Sequence, residues 1–276
     1  MENATKFSNV FRGLDQAYGT YRIDKEQSNG KQVGKATLVR EPRTVETWEK
    51  HLDGTGNGIG IVPINEDNKC VFGAIDVDTY PLDLTKLVQQ IRKLKLPLVV
   101  CRSKSGGAHC YFFTSQWIDA KAMQEVLNTI ASALGYHGSE VFPKQILLRL
   151  DRGDVGNFLN MPYFNAEKGL RYAIKDDGSA ATLSEFFEMY DQYVQTPEQV
   201  SALKIEESVE SPVPDGPPCL QHLCAQKISE GGRNNGLFNV GVYLRKANPE
   251  DWQSEILAYN MNYIVPPLPL NEVNMV

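Results

Sequence analysis

Asp76 and Asp78 stand two residues apart in Gly73-Ala-Ile-Asp-Val-Asp78. On a strand, such residues share one face, about 7 Å apart along the chain. Val71, Phe72, Ala74, Ile75 and Val77 around them are apolar, so the two carboxylates repel each other and resist leaving water. A divalent cation offsets both costs, and hard oxygen ligands suit Mg²⁺ or Mn²⁺. A strand end where both acids reach water is the alternative. Further along, Arg102-Ser-Lys-Ser-Gly-Gly-Ala-His109 gathers cations, hydroxyls, glycines and a histidine in one short turn. Gly106 and Gly107 let backbone N–H groups approach an oxyanion, Ser103 and Ser105 donate, and Arg102 and Lys104 neutralise phosphate charge. His109 can offer a proton-bearing nitrogen to a phosphate. The turn is not a Walker P-loop, which needs a different glycine spacing and opens a helix. A solvated hairpin turn would read the same way. Glu140 supplies a further carboxylate with Lys144 beside it. Asn157 and Asn160 lie among aromatics in Gly156–Phe164, a composition suited to stacking and hydrogen bonding with bases or sugars, or to an aromatic core strand with Asn at its turns. Cys219, His222 and Cys224 make only a weak zinc pattern, without a second ligand pair.

The elements that must position these residues read as follows. Gly58–Pro63 and Cys70–Asp78 are short apolar runs separated by the turn cluster Asn65–Lys69, which predicts a hairpin. Leu84, Leu87, Val88, Ile91 and Leu94 recur at helical spacing after Asp83, a predicted N-cap. Strands are predicted at Leu98–Cys101 and His109–Phe113. A helix follows, with Asp119 as its cap, Met123, Val126, Leu127, Ile130 and Leu134 on its apolar face, and Gly135 at its end. Glu140–Phe142 and Ile146–Leu150 read as short strands, and Ser184–Tyr193 as a helix. The layout is α+β with a mixed or antiparallel sheet. The first 50 residues show little periodicity.

The chain of 276 residues has 42% hydrophobic residues and 9% aromatics, which argues for a packed core rather than disorder. No apolar run is long enough to span a bilayer, and the polar start lacks a signal-peptide core. Five cysteines, an odd number, do not make a disulfide scaffold, so reduced thiols and a cytoplasmic setting are expected. The net charge of −6 hides a division: residues 81–175 carry 13 Lys+Arg against 7 Asp+Glu, and residues 176–217 carry 10 acids against one Lys. A basic middle leaves room for an anionic ligand. The Glu-, Ser- and Pro-rich stretch 196–216 reads as a linker. It separates a domain at 1–195 from a small helical segment at 217–276.

Taken together, Gly-Ala-Ile-Asp76-Val-Asp78, the Ser-Lys-Ser-Gly-Gly-Ala-His109 segment and an acidic residue on a strand after the next helix resemble the three motifs of the archaeo-eukaryotic primase superfamily, in order and spacing. Glu140-Val-Phe-Pro-Lys-Gln and Gly156-Asn-Phe-Leu-Asn-Met-Pro look like its phage and conflict-system branch. The resemblance spans roughly residues 8 to 190. It implies a catalytic module like an RNA-recognition motif, preceded by an N-terminal α/β unit, and template-directed nucleotidyl transfer from nucleoside triphosphates. It also implies two Mg²⁺ or Mn²⁺ ions on Asp76, Asp78 and Glu140. Arg102, Ser103, Lys104, Ser105, Gly106, Gly107, His109 and Lys144 would face the nucleotide. Asn157, Asn160, Arg233, Arg245 and Lys246 would face single-stranded DNA template. Ser229–Asn239 looks like the helical segment that follows such modules in phage primase-helicases, so a helicase portion is expected in a longer chain, in a bacterial cell or phage-infected host. A two-metal nuclease and a non-catalytic single-strand-binding domain are the rival readings. The first needs a lysine two residues after its Glu, and here Lys144 lies four after Glu140.

Overall fold

The computed structural model describes residues 1–26, 32–136, 138–203, 205, 216–224, 228–229 and 231–275. It divides into two units, Met1–Ile205 and Glu206–Val276. The first unit runs α1 (Glu2–Val10), β1 (Tyr18–Glu26), β2 (Gln32–Val39), α2 (Val45–Asp53), β3 (Gly58–Ile61), β4 (Lys69–Val77), α3 (Leu84–Lys93), β5 (Leu98–Arg102), β6 (Ala108–Asp119), α4 (Ala120–Ala133), β7 (Glu140–Phe142), β8 (Leu159–Asn160), α5 (Leu183–Tyr193) and α6 (Pro197–Ala202). The second holds α7 (Pro218–Cys224), α8 (Arg233–Ala247), α9 (Trp252–Tyr263) and α10 (Leu270–Val273). Among the described residues no helix is long and apolar enough to cross a membrane.

The fold is α+β, as the sequence predicts. The succession β4-α3-β5-β6-α4-β7 forms an antiparallel sheet in the order β5-β6-β4-β7. That is the split β-α-β arrangement of an RNA-recognition motif, with the first and third strands central. Its helices start and stop where the sequence signals them. The Asp83 carboxylate accepts from the Lys86 N–H at 3.0 Å, and Gly135, at φ +78°, follows the last turn of α4. Asp119 stands at the α4 N-cap position, but its side chain makes no capping bond.

Three sequence expectations are corrected. The first is the hairpin between residues 58–63 and 70–78. It does not form, because β3 pairs with β1 and β8 in a separate sheet of order β2-β1-β3-β8, while β4 belongs to the sheet of the split β-α-β unit. The second is the strand at Ile146–Leu150, which is absent. Ile146 and Leu147 are exposed and a 3₁₀ turn covers Leu150–Arg152, since nothing packs over both faces of that segment to reward an extended chain. The third is the beginning of the linker. Thr196 caps the Gln199 N–H, Gln199 returns a bond to the Thr196 N–H, and Pro197 opens α6, so this capping box makes a helix there. Linker residues 206–215 lie outside the described residues.

Strand alternation divides β4 between two cores. Cys70, Ile75 and Val77 join the core beneath α3 and α4 with Leu98, Val100, Cys110 and Phe112. Phe72 and Ala74 join Tyr111, Phe113 and Phe142 on the opposite face, beneath Phe7, Phe11, Trp48 and Phe186. A smaller core in the second unit gathers Leu237, Val240, Leu244, Ile256 and Tyr259 of α8 and α9.

His51 on α2 is fully buried and bridges two segments. Its Nδ1 accepts from the Ile59 N–H at 3.0 Å, so Nε2 carries the proton and donates to the Pro162 carbonyl at 2.8 Å. Burial holds its pKa down at about 4, with the nearby Arg171 charge acting the same way. A folded-state pKa below the unfolded value makes its contribution complete above pH 6.5 and lost as pH falls towards 4. Urea titrations should therefore show the parent losing about 2 kcal/mol more than His51→Gln between pH 7 and pH 5. Parallel losses in the two proteins would contradict this assignment.

Candidate active site

On the aromatic face of the split β-α-β sheet the sequence turns polar at one end. Asp76 is paired across β4–β6 with His109 and across β4–β7 with Glu140, and His109 is paired with Cys101 on β5. The row Cys101–His109–Asp76–Glu140 thus crosses the sheet next to Phe72, Ala74, Tyr111 and Phe142. Asp78 lies just past the end of β4, exposed, where its Oδ1 accepts from the Tyr80 hydroxyl at 2.9 Å.

The turn between β5 and β6 folds back over this end. The Ser103 N–H donates to the Gly107 carbonyl at 2.9 Å, and Gly106 adopts φ +93°. A Cβ on Gly107 would stand 2.3 Å from the Val77 carbonyl, so only glycine lets the turn come this close to β4. The result is a cleft of about 220 Å³ lined by Asp76, Asp78, Arg102, Ser103, Lys104, Ser105, His109 and Asn160, together with Phe142, Phe158, Leu159, Met161, Pro162 and Arg171.

Sequence reading missed Arg171. Its signal was a lone cation inside the apolar run Leu170-Arg-Tyr-Ala-Ile174. The Arg102 N–H donates to the Tyr172 carbonyl, Ala173 bridges Cys101, and the Ile174 N–H donates to the Val100 carbonyl. This run therefore lies along the β5 edge and carries Arg171 into the cleft. Arg171 is only 6% exposed, and neither Nη1 nor Nη2 has a hydrogen-bond partner among the described residues. Its guanidinium lies 5.5 Å from the Phe164 ring centre and 5.8 Å from that of Tyr21. Burial pulls its pKa down. Lys104 Nζ stands 3.8 Å from the same Tyr21 ring centre. Ser103 Oγ, Asn160 Oδ1 and Asp76 Oδ1 are likewise buried without partners. Buried polar atoms left this way are costly, and these gather around one cavity.

Burial raises the Asp76 carboxyl to about 7, with further pushes from the Asp78 and Glu140 charges. His109 is the converse case: burial, then the Arg171 charge, holds its pKa down at about 3, so the ring is neutral. The Tyr111 hydroxyl lies 3.4 Å from the Asn160 carbonyl, to which it can donate, and 3.2 Å from His109 Nδ1. His109 Nε2 faces Asp76 Oδ1 across 3.5 Å.

Other expected site residues stand elsewhere. Glu140 is exposed and ion-paired with Lys144 at 2.6 Å, and neither lines the cleft. Asn157 is exposed and holds Gln145 through its side chain and its backbone N–H. Arg233 Nη1 donates to the Pro266 carbonyl at 3.0 Å, and Arg245 lies 5.8 Å from the Trp252 ring centre, both in the second unit with Lys246. The side chains of Cys219 and His222 lie outside the described residues. Among the described residues no three His, Cys, Asp or Glu side chains converge as metal ligands. The donor chemistry of Asp76 and Asp78 nonetheless fits a divalent cation: Asp76 Oδ1 is an orphaned buried oxygen whose ionisation is opposed by like charge, and a bound cation would offset both penalties.

The family model described as "TOTE conflict system, Archaeo-Eukaryotic Primase domain" matches residues 4–204. Among solved structures, the catalytic domain of primase Repb' in complex with initiator DNA aligns with TM-score 0.33 and 13% identity, covering 69% of this chain and 95% of that one. The AEP domain of the cyanophage S-2L primase-polymerase aligns with TM-score 0.37 and 14% identity, covering 68% and 96%. No curated protein matches the sequence.

The raised Asp76 pKa has a measurable consequence. A folded-state carboxyl pKa above the unfolded value costs nothing below pH 3.8, and the cost grows until pH passes about 7. Asp76→Asn should therefore be more stable than the parent by on the order of 2–4 kcal/mol at pH 8. The gap should close as pH falls towards 4. Denaturation at both pH values, without added metal, checks this.

Proposed function

This chain belongs to the archaeo-eukaryotic primase domain family of the TOTE conflict system, and from that premise we propose that it makes primers de novo on single-stranded DNA and extends them from nucleoside triphosphates. The family supports a primase-type nucleotidyltransferase. The observation that carries the finer reading is the cleft lined by Asp76, Ser103, Asn160 and Arg171, each with a buried polar atom that has no partner among the described residues, beside Asp78, Lys104 and His109. Acids, the hydroxyls of Ser103 and Ser105 and a buried guanidinium lining one cleft suit a metal-bound triphosphate.

Asp76 and Asp78 would hold Mg²⁺ or Mn²⁺. Such a pair of ions activates an attacking 3′-hydroxyl and neutralises triphosphate and pyrophosphate charge. Glu140, directly opposite Asp76, joins them by leaving Lys144. Lys144 would then be free to turn toward the triphosphate. Ser103, Lys104, Ser105, Arg102 and Arg171 bind and orient the triphosphate, with the Gly106-Gly107 backbone closing the turn around it. His109 keeps Nε2 toward the same space, and a polyanion beside it favours the protonated, donating ring. Asn157, Arg233, Arg245 and Lys246 remain template contacts in this proposal.

Incubation with nucleoside triphosphates, Mn²⁺ and an unprimed single-stranded template distinguishes the rival classes. Synthesis supports the primase, degradation of the template a nuclease, and a mobility shift alone a binding domain. Asp76→Ala and Asp78→Ala should abolish priming and primer extension together. Glu140→Ala should remove extension as completely as Asp78→Ala across a Mn²⁺ titration, while Asp151→Ala and Asp154→Ala stay within several-fold of the parent. Retained extension in Glu140→Ala would take the third carboxylate out of the site.

The clamp is tested separately. Arg171→Met, which keeps much of the buried volume, should weaken nucleoside triphosphate binding roughly 10- to 100-fold, the size of a lost charge-assisted phosphate contact. Lys104→Ala should weaken it in the same direction. Calorimetry showing unchanged affinity in both variants would refute the clamp.

A further inference from the structure

The β8 side of the cleft is built in a way that metal and phosphate binding do not require. Gly19 and Gly60 are direct partners across β1–β3, so two side chains are missing side by side from the sheet. Phe158 fills the gap. A Cβ on Gly19 would come within 2.3–2.5 Å of three Phe158 ring atoms, and one on Gly60 within 2.2 Å. Neither glycine has a positive φ, so the ring, not the backbone, demands them. Phe158 is half-buried and also lines the cleft. Asn160 pairs with Gly60 and lines the same cleft, with its Oδ1 buried and without a partner among the described residues.

The next row on the same face of this strand pair is Tyr21–Gly58. Lys104 and Arg171 gather there: Lys104 lies against the Tyr21 ring, and a Cβ on Gly58 would stand 3.4 Å from Arg171 Nη1. Two residues along a strand separate the rows by about 7 Å. One end of the cleft therefore offers cations, and the other an aromatic ring backed by glycine with an amide acceptor beside it. We propose that Phe158 is the stacking platform for the base of the bound nucleoside triphosphate, with Asn160 Oδ1 accepting from its base or sugar. The proposal rests on the nucleotide reading of the cleft and sets the direction of the ligand: phosphates toward Lys104 and Arg171, base against Phe158.

The test compares dATP with inorganic tripolyphosphate, each with Mn²⁺, binding to the full chain and to Phe158→Leu and Phe158→Tyr by calorimetry. Phe158→Leu should lose on the order of 10-fold in dATP affinity, the scale of one base–aromatic stack, with tripolyphosphate affinity unchanged. Phe158→Tyr should keep both affinities. Unchanged dATP affinity in Phe158→Leu overturns the platform and leaves the clamp standing. A parent that binds neither probe overturns the nucleotide reading, and the platform with it. Should Phe158→Leu fail to fold, Gly60→Ala displaces the ring without removing it and must show the same selective loss; equal loss for both probes overturns the proposal.

Discussion

A half-buried carboxylate on an inner strand of a sheet is the constraint to which the candidate site answers. Asp76 shares a face with Phe72 and Ala74, whose side chains lie in an aromatic core, and strand alternation leaves it no other direction. Its neighbours across the sheet, His109 and Glu140, offer one neutral imidazole and one like charge. Neither satisfies it, and burial, with the Asp78 and Glu140 charges behind it, drives its pKa up to about 7. An apolar residue there would continue the core, so stability does not explain an acid at this point. The features around it follow from keeping that end of the sheet open to a ligand. Gly107 brings the Ser103–Ser105 turn against Val77, and the run along the β5 edge delivers Arg171.

What could be read from the sequence was what depends on near neighbours. Asp83 and Gly135 set helix ends through bonds and angles within one turn, and both stand where their residue types place them. The Asp76–Asp78 pair, the hydroxyl-rich turn and His109 were legible because β5, β6 and β4 are adjacent in the sheet, so a local motif became a spatial one. The missing hairpin shows the limit. Residues 58–63 and 70–78 have the composition and spacing of paired strands, yet β3 finds β1 and β8 instead. The competing partner lay in the N-terminal region, whose β1–β2 hairpin shows little periodic pattern. Such a choice is decided by packing over distant segments.

Glu140 and Arg171 divide along the same line. Glu140 was found because it opens a short strand after a helix, and it does stand across from Asp76. Its side chain nevertheless pairs with Lys144 at 2.6 Å, a contact at i,i+4 that sequence spacing alone could not rank against the proposed metal ligation. Arg171 carried no motif at all. Only the pairing of residues 172–174 with β5 gives it a place, and that pairing joins segments about seventy residues apart, a separation where register cannot be read from composition.

Two electrostatic debts in the cleft have opposite signs and are not settled by each other. Asp76 is an acid whose charge is opposed by burial, and Arg171 is a buried cation whose terminal nitrogens lack hydrogen-bond partners among the described residues. They line one cavity, yet no ion pair joins them among the described residues. A simple anion would relieve Arg171 and aggravate Asp76, and a simple cation would do the reverse. A ligand that is itself a cation bound to a polyanion relieves both at once. Each half then strengthens the binding of the other, because it removes the like-charge penalty the other would meet. The metal–nucleotide unit proposed above is a ligand of this kind, and leaving the two groups apart keeps the cavity available to it.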